Sequence, residues 1–566
     1  MGNFPSMITQ NLKDSFFTDA DRRVTGLFSW LPALIAILIT ILSSESAIAQ
    51  DLYVGFNSSA RTTNFTSGTN AYLNTYVGYN SGDSNNVLNV ANPGTLLTNT
   101  GDLYVGYNGS GNSLSISNGG TVADDYGYVG GFTTNSSNTN NSALITGANS
   151  LWTNRNDFIV GNEGSGNSLV ISNGGTVANA TGVIGASYSS NNSALVTGAN
   201  SLWTNGNDFI VGYEGSGNSL VISNGGTVAN ATGVIGNAFT SSNNSALVTG
   251  VGSSWSNGGP LYIAGEGGGT LTVANGGTVS AVNGITIAYA AGSVGTLNIG
   301  SLGGSDTAGT ITAVTIEFGS GAGAINFNQR DATTLTSSIS GAGALNQIGT
   351  GTTILTGSNI YTGTTTITNG TLLANNTAGS ALGSSSVLVQ SGGTLGGNGS
   401  IAGPVTIASG GNLTPGSEGI GALTLTDGLT IQSGATTTFL INSTNSFTSL
   451  NIQGGIVSYG GTMRLDLTSY ASLAASGDSF ALFGTWGEGA TNTNNFSSLI
   501  AIGATMTFTD AGGLWSATDL TTGLNYQFSD ATGQLSVTTA VPEPSTYALF
   551  GLGALALIVA YRRKVA

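Results

Sequence analysis

Apolar residues in this chain come in short runs broken by Gly, Asn and Ser, and from Leu52 to Ile299 the runs recur in a fixed order. One stretch reads Phe158-Ile159-Val160, Ser168-Leu169-Val170-Ile171, Thr176-Val177, Val183-Ile184 and Ala194-Leu195-Val196. Runs this short, bounded by turn residues, predict strands rather than helices. The NGG triplets beginning at Asn173, Asn224 and Asn275 mark tight corners, where Gly supplies the positive φ that other residues resist.

The order repeats with a period of about 51 residues. Trp203 follows Trp152 by 51 and Trp255 follows Trp203 by 52, while the three NGG asparagines are 51 apart. Leu52–Phe56 (LYVGF), Thr75–Tyr79 (TYVGY) and Leu103–Tyr107 (LYVGY) are looser, earlier turns of the same pattern. Strands of three to five residues cannot hold a flat sheet alone, but stacked in register on copies of themselves they bury one face continuously. The sequence therefore predicts an all-β fold, a right-handed parallel β-helix or β-solenoid with two rungs per 51-residue unit. At about 22 residues and 4.8 Å per rung the stack would be on the order of 100 Å long. A string of small β-sandwiches is the competing arrangement. The tryptophans have two readings: their fixed phase favours burial as a core spine, whereas an exposed row of Trp152, Trp203 and Trp255 would stack on sugar rings.

A second repeat type begins near Gly349, with GTGTTILTGSNIYTGTTTITNGTLLANN over 349–376, then GGTLGGNG over 392–399 and LTPG over 413–416. These roughly 70 residues resemble the autotransporter-associated β-strand repeat, which implies a parallel β-helical passenger. A membrane β-barrel should follow in an autotransporter; this chain has a different tail in that place. From 423 to 540 the repeats fade and aromatics return, as expected of a β-rich cap or small β domain that closes an otherwise open strand edge.

The two ends differ from everything between them. Lys13, Arg22 and Arg23 precede a mostly apolar run from Leu27 to Leu42 and then Ala47-Ile48-Ala49, the layout of a secretory signal cleaved between Ala49 and Gln50. An uncleaved anchor is the alternative, since the leader is long and carries Asp14, Asp19 and Asp21. At the other end, Pro542-Glu543-Pro544 leads into an apolar stretch, Thr546–Tyr561, followed by Arg562-Arg563-Lys564. The prolines keep the boundary extended. The 16-residue stretch would be a short C-terminal transmembrane helix of about 24 Å against a hydrocarbon core of about 30 Å, with the basic cluster held inside. This closely resembles the PEP-CTERM sorting signal. The resemblance implies recognition of Pro542, Glu543 and Pro544 by an exosortase-type membrane protease, transient anchorage in the inner membrane, and delivery to the surface or polysaccharide matrix of a Gram-negative bacterium. The expected divisions are thus 1–49 (signal), 50–300 (51-residue solenoid), 301–422 (solenoid with the second repeat), 423–540 (cap) and 541–566 (sorting tail).

Composition narrows the chemistry. The chain has no Cys and no His, and between Asp51 and Ala540 only Arg61, Arg155, Arg330 and Arg464 oppose 21 carboxylates, a net charge of −17. Such a surface does not attract nucleic acid, while its neutral Asn, Ser and Thr suit hydrated polysaccharide. Lacking His, Cys and ectodomain Lys, the chain has no base to activate a nucleophile and no lysine for a phosphate loop. Carboxylate acid/base chemistry, as in a polysaccharide lyase or hydrolase built on a β-helix, needs clustered acids. Asp124 and Asp125 are adjacent and would point to opposite faces of a strand, as in a solvated turn. Asp157 and Asp208 recur in phase, as do Glu163, Glu214 and Glu266. Stacked between rungs they are candidate Ca²⁺ ligands, though no Ca²⁺-binding nonapeptide or EF-hand loop is present. The expectation is a non-catalytic exported scaffold or adhesin without cofactor; a carboxylate-dependent glycan enzyme and an autotransporter-type adhesin passenger are the alternatives.

Overall fold

A computed structural model describes residues 50–131, 138–417, 420–539 and 544–564, with backbone alone for 544–550 and 564. Residues 50–566 form one compact unit. The short apolar runs are strands, and nearly every strand pairs in parallel with its counterpart one rung later. In one rung, Phe158–Val160 belongs to sheet 1, Ser168–Ser172 to sheet 2 and Thr176–Asn179 to sheet 3; Gly182–Ile184 then re-enters sheet 1. Sheet 1 has 12 strands, sheet 3 has 10, and sheet 2 runs through 18 strands from Thr62–Phe65 to Thr491–Thr493. The parallel β-solenoid expected from the repeats is the fold. Seventeen steps of about 4.8 Å make sheet 2 about 80 Å long, shorter than expected because sheet 2 rungs in the 51-residue region take 25 to 29 residues instead of 22.

The 51-residue period covers two rungs for a packing reason. On sheet 3 the inward positions read Trp152, Val177, Trp203, Val228, Trp255, Val279 in one register. On sheet 1 the facing positions read Phe158, Gly182, Phe209, Gly233. Large and small side chains alternate so that successive layers interdigitate. A Cβ on Gly182 would lie 2.7 Å from a ring carbon of Phe209, so the small residue is obligatory there.

Near residues 310–340 the cross-section changes. Sheet 3 ends at Thr310–Ala313, sheet 1 ends at Ser338–Ser340, and a fourth sheet begins at Ala332–Leu335. Rungs become shorter: Leu345, Thr365, Val387, Val405 and Leu429 follow one another in sheet 2 at intervals of 18 to 24 residues. The parallel ladders continue past 422, the expected start of the cap, as far as Ser498–Ile502. An antiparallel five-stranded sheet then closes the stack, in the order Ser479–Ala481, Gln534–Thr539, Leu524–Ser529, Leu514–Thr518, Thr509–Asp510. Phe528 from this sheet meets Phe483 and Phe496, which ties it to the end of the solenoid core.

The helix expected after the proline pair is present, from Pro544 to Lys564, with Pro544 at the first position, where a missing N–H costs nothing. Its transmembrane role is corrected: among the described residues no helix is long and apolar enough to cross a membrane.

Candidate functional site

The core tryptophans offer no ring face to a sugar. Trp152, Trp203 and Trp255 are each 0% exposed, and their rings alternate edge-to-face with Phe158 and Phe209 at centroid distances of 4.6 to 6.0 Å. The sugar-stacking alternative is thereby overturned for these three residues. Burial also demands a partner for each indole N–H. Trp203 donates to Asn179 and Trp255 to Asn230, both at 2.8 Å, while Trp152 donates to Asp124 at 2.8 Å.

Asp124 therefore does not lie in a solvated turn. It ends the strand Thr121–Asp124 and is buried, at the position that Asn179 and Asn230 occupy on later rungs. Burial pushes its carboxyl well above the ordinary carboxylate range, reinforced by Asp102 and Asp125 and opposed by the Trp152 hydrogen bond and Arg155. Its second oxygen has no partner, nor does the Oδ1 of Asn154 one rung on. Asp125, as expected of its neighbour on a strand, faces the other way and pairs with Arg155 at 3.3 Å.

The in-phase acids do not gather. Asp157 and Asp208 are two rungs apart, about 10 Å, and each is hydrogen-bonded by the threonine of the next rung, Thr181 or Thr232. Burial raises both carboxyls. Glu163, Glu214 and Glu266 sit in the turns between sheets 1 and 2, also on alternate rungs, at the same separation. One cation cannot bridge carboxylates that far apart, and among the described residues no three His, Cys, Asp or Glu side chains come together as a metal site.

Two features escaped the sequence reading. A ladder of buried asparagines, Asn86, Asn112, Asn141, Asn167, Asn192, Asn218 and Asn244, runs up the inner corner between sheets 1 and 2. Each donates its backbone N–H, at 2.9 Å, to the side-chain oxygen of the next, as Asn167 does to Asn192 and Asn192 to Asn218. The side-chain amides repeat the link at 3.0 to 3.2 Å. The corner glycine below each one, such as Gly161 at φ 77°, leaves the space: a Cβ there would meet Asn192 at 2.2 Å. The Asn-Ser pair that opens six successive sheet 2 strands, from Asn112-Ser113 to Asn244-Ser245, was the legible signal. The second feature is a column of tyrosines on the outer face of sheet 1. Tyr53, Tyr76, Tyr104 and Tyr128 stack rung on rung at 4.8 to 5.2 Å, and burial lifts all four hydroxyls above their usual range.

At the C-terminal end, Arg562 and Arg563 are exposed on the last turn of the helix, and Pro544 opens it. Pro542 and Glu543, the side chains of Pro544 and Lys564, and Ala47 and Ala49 lie outside the described residues; Gln50 is described and exposed.

Residues 540–564 match the PEP-CTERM protein-sorting motif. The PEP-CTERM match begins just before the proline pair and takes in the whole helix with its basic end, so Pro542, Glu543 and Pro544 fall within a recognised sorting signal. In a separate comparison the chain is 33% identical over 299 residues, 51% of its length, to the Adhesin BmaC autotransporter of Brucella suis biovar 1 (strain 1330). The match spans 9% of that relative's length. The similarity agrees with the autotransporter-type repeats read in the sequence.

Proposed function

We propose that this chain is a non-catalytic surface protein, exported, sorted through its PEP-CTERM tail by an exosortase-type membrane protease, and used as an adhesive scaffold in an extracellular polysaccharide layer. The observation that carries the reading is the joining of a sorting tail to a long parallel solenoid whose sparse charges are mostly acidic. The tail presents Pro542–Pro544 to the protease at the inner membrane. The solenoid supplies length and repeated surface rather than a reaction centre. The acids that recur in phase, Asp157 with Asp208 and Glu163 with Glu214 and Glu266, lie on alternate rungs rather than facing one another as an acid/base pair, and its largest inward side chains are consumed by packing. No cofactor is required. Similarity to an autotransporter adhesin favours the adhesive role over a purely structural one.

The test is mass spectrometry of the C-terminal peptide of chain recovered from the cell surface or medium. Released material should end near Pro542–Pro544, and cells lacking the chain should hold less of their polysaccharide layer. Arg562-Arg563-Lys564 still attached in all released material would refute sorting by cleavage.

A further inference from the structure

The turns that join sheet 1 to sheet 2 carry a second periodic row. In chain order, one rung apart, they present Glu163, Tyr188, Glu214, Phe239, Glu266 and Tyr289. Glu163, Glu214 and Glu266 share one turn position, and Tyr188 and Phe239, 51 residues apart, share the next; Tyr289 stands two positions nearer sheet 1, in register with Tyr213. These aromatics are on the outside: Tyr188 is 71% exposed, Phe239 76% and Tyr289 36%. The turns are tied to one another by backbone hydrogen bonds, among them Ala238 to Tyr213 at 2.9 Å, Glu266 to Asn237 at 3.0 Å and Tyr289 to Ala264 at 2.9 Å. The row is therefore fixed to the rungs. Ser187 and Tyr188 have φ of 37° and 60°, a left-handed conformation that a bulky residue adopts at a cost; here it places the tyrosine ring in solvent.

We propose that this seam binds a neutral β-1,4-linked glycan chain lying along the solenoid axis. The inference rests on the polysaccharide-layer reading and names its partner. Exposed aromatic faces pack against the C–H faces of pyranose rings, and carboxylates between them accept hydroxyl hydrogen bonds. Like side chains recur every second rung, about 10 Å, and in a β-1,4-linked chain every second ring presents the same face at a closely similar repeat. The acids of the seam and the net charge of −17 between Asp51 and Ala540 repel anionic polymers.

Affinity electrophoresis of chain purified from the surface or medium tests this, with hydroxyethylcellulose as neutral probe and alginate as anionic probe in native gels. Hydroxyethylcellulose should retard the chain and alginate should not. The combined variant Tyr188→Ala and Phe239→Ala should bind at least tenfold more weakly while keeping its thermal midpoint, since both side chains project into solvent. Absence of retardation by hydroxyethylcellulose, equal retardation by alginate, or undiminished binding by a folded variant would each overturn the proposal. The sorting reading is judged separately, by the C-terminal peptide, and stands or falls without it.

Discussion

Trp152, Trp203 and Trp255 occupy alternate rungs inside the solenoid, and Tyr188, Phe239 and Tyr289 occupy alternate rungs outside it. Both rows keep nearly the same period, yet one is wholly buried and the other largely exposed. A period reports stacking, because it says which residues share a rung position; it does not report which side of the wall they are on. Flanking chemistry does. Each tryptophan sits in a strand, between two outward-facing residues such as Leu202 and Thr204, and shares its layer with a sheet 1 glycine that makes room, as Gly233 does for Trp255. Tyr188 and Phe239 sit among Ser, Thr and Asn in turns, where no strand pleat directs them inward.

The difference is open to attack by substitution. Trp203→Ala should produce the largest loss, about 3–5 kcal/mol from the void left in a layer that cannot collapse, read as a fall in the denaturation midpoint. Asn192→Ala, at the corner between inside and outside, removes the acceptor for both the backbone and the side-chain amide of Asn167; stranding buried donors costs roughly 1–3 kcal/mol each. Asp124→Asn should instead stabilise, since it installs the amide found at Asn179 and Asn230. Its effect also has a sign in pH. The native state holds the Asp124 proton more tightly than the unfolded chain does, so stability is fullest at low pH and is lost as pH rises through the ordinary carboxylate range and beyond. Asp530 in the cap, pushed up to about 6 mainly by burial, adds a loss of the same sign as pH rises from about 4 to 6. Denaturation midpoints at several pH values should therefore show a shallower slope for Asp124→Asn than for the parent. Phe239→Ala should be the smallest effect, within about 0.5 kcal/mol. A large loss there would place the outer row in the core after all.

Much of this contrast was legible in the sequence. The fold class, the two rungs per 51 residues and the sorting tail followed from short alternating runs, a fixed phase and a terminal motif. Three things were hidden. The rung length changes near residue 320, because one sheet ends and another begins, and no residue type announces that geometry. The asparagine ladder reads locally as turn punctuation, since only stacking converts Asn167 and Asn192 into a continuous hydrogen-bonded column. Asp124 looked solvated because neighbouring acids usually are; its burial follows from Trp152, 28 residues away, whose N–H needed an acceptor.

Hydroxyl-radical footprinting of the folded chain bears most directly on the two rows, because it reads side-chain exposure residue by residue in one sample. Tyr188 and Phe239 should be oxidised at rates close to those in the unfolded chain, while Trp152, Trp203 and Trp255, intrinsically the more reactive rings, should be protected until the solenoid unfolds. Rapid oxidation of the tryptophans in the folded chain, or protection of Tyr188 and Phe239, would contradict the assignment of one row to the core and the other to the binding surface.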